Sequence, residues 1–228
     1  MKKFIFTLLL LIVFITVTAC GNQTSNENEP KSEDSSQVEE ESVKEDTQGS
    51  EEIKNDEQTE EEAKEIIMDK ADEVLKLLKE KNAKELTNYV HPEKGVLFSP
   101  YLFVDKEAVT FDKEKVKELY EDVETYTWGT QDGSGEPIEL TPSEYYSKFI
   151  YDSKYDQADE IVFDRKEARG NTIRNITEVF PDSHSVEYYV KGTEENGNMD
   201  WKALNLVFEK DAEGEWKLVA IVHDQWTI

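Results

Sequence analysis

The chain reads as an α+β domain, with helical periodicity first and alternating strands last. Three observations predict this. Ile67, Ala71, Val74 and Leu78 recur at helical spacing. Thr141-Pro142-Ser143-Glu144 joins an N-cap hydroxyl, a proline at the first helical position and a glutamate three residues past the cap. Leu204, Leu206 and Phe208 alternate, Asp211-Ala212-Glu213-Gly214 turns the chain, and Trp216, Leu218, Ala220 and Val222 alternate back. Helices followed by an antiparallel hairpin is the α+β order.

Taken in order, the first helix starts near Glu60, with Leu75 and Leu77 widening its apolar stripe. Its acidic start and lysine-rich end suit the helix dipole. Asn82 caps a second, shorter helix predicted to run through Val90 and to stop at His91-Pro92. Two extended pieces follow, Val96-Leu97-Phe98 and Tyr101-Leu102-Phe103-Val104, parted by Ser99-Pro100. Asp112 opens a helix predicted to reach about Asp122, with Phe111 and Val116 as its hydrophobic staple. Asp132-Gly133-Ser134-Gly135 is a turn. The helix from Thr141 should continue to Ile150 or Tyr151, and Ser185 to Val190 is a strand after the Pro181-Asp182 turn.

Charge narrows the class of protein. The chain has 228 residues, with 52 acidic against 26 basic groups and a net charge of −26. Residues 21–62 alone hold 16 Asp/Glu and 3 Lys. Neither half offers the basic face that a phosphate backbone requires, which excludes duplex nucleic acid as a partner. One cysteine excludes a disulfide framework. The residues from 63 to 228 suffice for one domain with a real core.

The N-terminus reads Met1-Lys2-Lys3, then an apolar run from Phe4 to Val17 broken by Thr7 and Thr16. A basic start before a short apolar stretch is the layout of a secretory signal peptide. Fourteen helical residues cover about 21 Å, short of a ~30 Å hydrocarbon core. Then comes Val17-Thr18-Ala19-Cys20-Gly21, which resembles the lipobox of bacterial lipoproteins. That resemblance implies removal of residues 1–19, an S-diacylglycerol thioether on Cys20 and N-acylation of the new terminus. Two or more acyl chains give stable anchoring. The expected location is the extracytoplasmic face of a cell membrane, and 23 Lys against 3 Arg suggests an AT-rich, Gram-positive source.

Residues 20–62 hold only Val38, Val43 and Ile53 as large apolar side chains, so they read as a disordered acidic tether. Such a chain averages roughly 35 Å end to end, and charge repulsion stretches it. Glu39-Glu40-Glu41 and Glu60-Glu61-Glu62 read as solvated spacer rather than as cation traps.

A long first helix, short helices and a closing run of antiparallel strands is similar to the NTF2-like cone, in which a curved sheet wraps the helix around an open pocket. His91-Pro92-Glu93-Lys94-Gly95-Val96, Trp128-Gly129, the stretch from Asp132 to Ile138 and the terminal Ile221 to Ile228 also resemble an uncharacterised family of exported bacterial proteins. The resemblance carries no catalytic motif. It leaves open a homodimer paired through its sheets.

Few residues point to chemistry. His223 and Asp224 could serve as an acid/base pair, His223 sharing a strand face with Gln225 and Asp224 with Trp226. NTF2-like enzymes use carboxylates and phenols inside the cone, but no residue here matches their motif. The competing reading is a terminal strand whose His and Asp bond locally. Asp132 to Glu136 offers oxygens but too few for a calcium loop. His91, His184 and His223 show no zinc spacing, and no metal or cofactor is expected. The aromatic residues Trp128, Tyr145, Tyr146 and Trp226 are candidates for a ligand pocket. The expectation is a lipid-anchored, non-catalytic binding module for a small ligand or an envelope protein. A pocket enzyme or a solute-capturing lipoprotein stands second.

Overall fold

The structure, a computed structural model, describes residues 59–228. The signal peptide, Cys20 and nearly all of the tether lie outside the described residues.

Helix α1 (Glu60–Lys79) begins inside the segment read as tether. Thr59 caps it and exchanges a capping box with Glu62, which places Glu60-Glu61-Glu62 in a first helical turn. Its buried stripe, including Ile67, Ala71, Val74 and Leu78, packs on Val186, Leu204, Leu206 and Phe208 of the sheet. The Tyr188 hydroxyl donates to Asp72 at 2.7 Å and pins helix to sheet.

Helix α2 (Ala83–Leu86) is a single turn rather than a helix to Val90. The chain leaves it because Tyr89 to His91 bond to the sheet: Leu218 N–H donates to Tyr89 O at 2.7 Å, and His91 N–H to Leu218 O at 3.0 Å. Strand β1 (Val96–Ser99) follows as expected, but Tyr101–Val104 is not a strand. There the Ser99 hydroxyl donates to Tyr101 O, and the Asn175 amide takes both backbone groups of Val104, at 2.7 and 2.9 Å. Short β2 (Thr110–Phe111) precedes α3 (Lys113–Lys117), which Asp112 caps and which ends five residues earlier than expected.

Strands β3 (Tyr126–Thr130) and β4 (Pro137–Leu140) pair around the Asp132–Gly135 turn, a hairpin the sequence reading missed. Helix α4 (Pro142–Tyr145) carries the capping box from Thr141 and runs on as a π-helical turn to Ile150. Strand β5 (Glu160–Phe163), helix α5 (Ile176–Val179) and the long strands β6 (His184–Val190), β7 (Lys202–Lys210) and β8 (Trp216–Gln225) complete the fold.

The main sheet has the order β2-β1-β8-β7-β6-β5. All its pairings are antiparallel except β1 with β8. One face carries α1 and an aromatic core; the other is covered by Leu102, Val104, Ile176 and Phe180. A bulge corrects the expected alternation of β8. Phe208 pairs Leu218 while Val207 pairs Ala220, so Val219 is an extra residue. Beyond it Ile221 takes the α1 side, and Ala220 and Val222 join the opposite cluster.

Candidate functional site

The bulge decides where the acid/base candidates fall. His223 follows Ile221 onto the α1 side and pairs with Leu204; Asp224 takes the other face and pairs with Ala203. His223 is 0% exposed. Its Nδ1 lies 3.0 Å from Pro100 O and its Nε2 3.2 Å from Asp152 Oδ2. Both ring nitrogens face acceptors within the protein. Asp152 also accepts from the Tyr155 hydroxyl at 2.7 Å and meets Lys202 Nζ at 3.2 Å. Burial pushes the Asp152 carboxyl up, but the bond and charge from His223, with Tyr155 and Lys202, outweigh it and hold it at about 2. A histidine so enclosed presents neither ring nitrogen to a substrate.

Asp224 is 1% exposed, and its Oδ2 finds no hydrogen-bond partner. Burial, then the charge of Glu187, pushes its carboxyl up to about 7, against the opposing pull of Arg174 and Arg169. All three arginines of the chain lie between positions 165 and 174, and all three converge on the buried Glu187. Arg169 Nε is 2.7 Å from Glu187 Oε1, and its guanidinium lies 3.7 Å from the centre of the Tyr189 ring. Arg174 bonds Asn205 and Ser185. This network straps the loop after β5 to the sheet, and Asn175 then clamps it to Val104.

The aromatic candidates divide. Trp128 stacks on Tyr145, centroids 3.9 Å apart, and its indole donates to Leu140 O. Both are buried with Phe98, Phe111 and Phe149 around them. Tyr146 is also buried and donates to Leu78 O at 2.9 Å. Trp226 stands apart past the end of β8, 37% exposed. The Asp132 loop is likewise engaged, Asp132 Oδ2 accepting the Ile228 N–H at 3.0 Å. Among the described residues no cluster of three or more His, Cys, Asp or Glu could hold a metal ion, and no helix is long and apolar enough to cross a membrane.

Among the described residues, three surface grooves stand out. One of about 660 Å³ lies between the start of α1 and β5; one of about 410 Å³ runs beside Asp72, Lys76, Lys79 and Asp156. The third, of about 300 Å³, lies between the loop after β1 and strand β3. Trp128 and Gly129 line it from the strand, Pro100, Tyr101 and Phe103 from the loop, and Asp105 and Glu107 at its edge. Of the sequence-predicted pocket residues only Trp128 reaches it. The loop residues were missed because Tyr101–Val104 reads as a strand. Neither His223 nor Asp224 lines any of the three. No family model matches the chain, and no curated protein or solved structure matches it.

Proposed function

We propose that the chain is a lipoprotein held by Cys20 at the extracytoplasmic face of the cell membrane, its α+β domain acting as a non-catalytic binding module. The observation that carries the non-catalytic reading is the sealing of both acid/base candidates, His223 at 0% and Asp224 at 1% exposure, away from every groove described. What supports a binding role is Phe103, 54% exposed beside the groove that Trp128 lines. An NTF2-like cone is the finer reading of the fold, supported by a long first helix enclosed on one face of a mostly antiparallel sheet. In this reading the space inside the cone is filled by the Trp128–Tyr145 aromatic cluster, and ligands meet the outer grooves.

Two experiments test the proposal. Mass spectrometry of the mature N-terminal peptide should show acylated Cys20, and an unmodified thiol refutes the anchor. Native mass spectrometry and thermal shift of the full chain, with sugars, peptidoglycan fragments, calcium and organic cations, should reveal a bound mass or a raised melting temperature. A ligand at about 100 times its Kd adds about 2.7 kcal/mol, well within detection. Turnover of any compound that disappears in His223→Gln overturns the non-catalytic reading.

A further inference from the structure

The groove between the Pro100–Ala108 loop and β3 differs from the other two in its charge. The groove at the start of α1 contains Lys64 beside Glu60 and Glu61, and the one along its far end contains Lys76 and Lys79 beside Asp72 and Asp156. Those carboxylates have cations at hand. The third groove is lined by Asp105 and Glu107 with no lysine or arginine among its lining residues. Among the described residues neither carboxylate joins an ion pair; the Asp105 side chain only accepts the backbone N–H of Glu107, at 3.0 Å.

The rest of the lining is aromatic and apolar apart from Ser99, Thr127 and Thr130. Phe103 projects from the loop, with Pro100 and Tyr101 beside it, while Trp128 across the groove is buried and stacked on Tyr145. Gly129 keeps the space open. Its φ is +133°, and a Cβ there would stand 3.4 Å from Pro100 Cγ, so any larger residue would both strain the strand and fill the gap. Tyr101 is fixed at the far side, where its hydroxyl accepts the Asp132 N–H at 3.2 Å.

Aromatic faces with two unpaired carboxylates attract a particular class of ligand. The ring quadrupole draws a cation held over the face, and the carboxylates add their charge where the groove excludes water from one side. Two carboxylates are too few oxygens for calcium, and aromatic walls give it nothing. Anions would be repelled by Asp105 and Glu107, and a neutral sugar would gain hydroxyl hydrogen bonds from them but no charge attraction. We propose that this groove binds a small organic cation of about the size of choline, its alkylammonium head between the Phe103 and Tyr101 rings and the Asp105 and Glu107 carboxylates. This rests on the reading of the domain as a binding module, and it names the ligand class of one site.

The test uses the full-length lipoprotein in maltoside micelles, which contain no choline headgroup. Choline, its neutral isostere 3,3-dimethylbutan-1-ol and N-acetyl-lysine amide are titrated against intrinsic tryptophan fluorescence, with native mass spectrometry counting bound ligands. Choline should bind at least tenfold more tightly than the isostere and more weakly as salt rises. Asp105→Asn with Glu107→Gln, both on an exposed loop, should remove that preference and leave the melting temperature unchanged; Gly129→Val should block both ligands. Equal binding of choline and the isostere, or full binding by the double variant, overturns the proposal. A preference for the lysine derivative overturns it in favour of a protein partner's lysine. Absence of all three while a sugar or peptidoglycan fragment still binds overturns the cation assignment alone and leaves the binding module standing.

Discussion

His223 Nε2 and Asp152 Oδ2 face each other across 3.2 Å, joining the last strand to the segment that follows the π-helical turn. His223 is buried and Asp152 partly so, with Tyr155 and Lys202 on the same carboxylate. Its stability contribution has a definite pH dependence. The Asp152 carboxyl titrates at about 2 when folded, against 3.8 ordinarily, so its stabilisation is complete above the ordinary value and is lost as pH falls through 2. Asp152→Asn should cost about 2 kcal/mol at pH 7, from a shift of nearly two pKa units. Urea unfolding should show that deficit shrinking between pH 4 and pH 2. A variant as stable as the parent at pH 7 would show that the pair contributes nothing net.

Asp224 has the opposite sign. Its carboxyl titrates near 7 when folded, so the folded state holds a proton that the unfolded chain has already released. Its contribution to stability should therefore be greatest below about pH 4, fall as pH rises toward 7, and level off beyond. Asp224→Asn removes the charge and keeps the shape. It should raise stability at pH 8 by roughly 2–4 kcal/mol and flatten the profile between pH 4 and 7. Melting curves across that range check this, and parallel profiles for parent and variant would refute it.

Two buried tyrosines should respond oppositely to loss of their hydroxyls. The Tyr145 oxygen has no hydrogen-bond partner, whereas Tyr155 donates to the charged Asp152 at 2.7 Å. Tyr145→Phe removes an unsatisfied group and should be neutral or stabilising by up to about 1 kcal/mol. Tyr155→Phe breaks a charge-assisted bond and should cost about 2 kcal/mol. Chemical denaturation of both variants decides it, and equal losses would place an unseen partner on Tyr145.

The elements legible in the sequence were those specified by neighbours along the chain. The helical stripe from Ile67 to Leu78, the capping box at Thr141 and the hairpin through Asp211–Gly214 each carry their own local signal, and the coarse α+β order followed from them. What was not legible depends on partners far away in sequence. Tyr101–Val104 looks like a strand until Asn175 claims its backbone, and Val90 looks helical until Leu218 pairs with it. The bulge at Val219 leaves no mark in composition, yet it sets which face His223 and Asp224 occupy. One site signal was in plain view: the only three arginines of a lysine-rich chain fall within ten residues.

Those arginines share Glu187 unequally, and the inequality can be measured. Arg169 binds it at 2.7 Å and also reaches Glu160 at 2.6 Å; Arg174 is 3.8 Å away but buried, and burial pushes its guanidinium down. Arg165 sits at 3.7 Å on the more exposed side. Removing the shared carboxylate leaves the buried Arg174 without its ion-pair partner and Arg169 with Glu160 alone, whereas removing Arg165 strands no cation. Glu187→Gln should therefore cost about 3–5 kcal/mol, the range for breaking a buried pair from one side. Arg165→Ala should stay within about 0.5 kcal/mol, as for a surface substitution. Hydrogen exchange adds a local readout, because Glu187→Gln should expose the backbone of the loop from Arg165 to Arg174 before the rest of the sheet opens. If Arg165→Ala proves as costly as Glu187→Gln, the strap is held by the outermost arginine, and the buried pair is not what closes this face of the sheet.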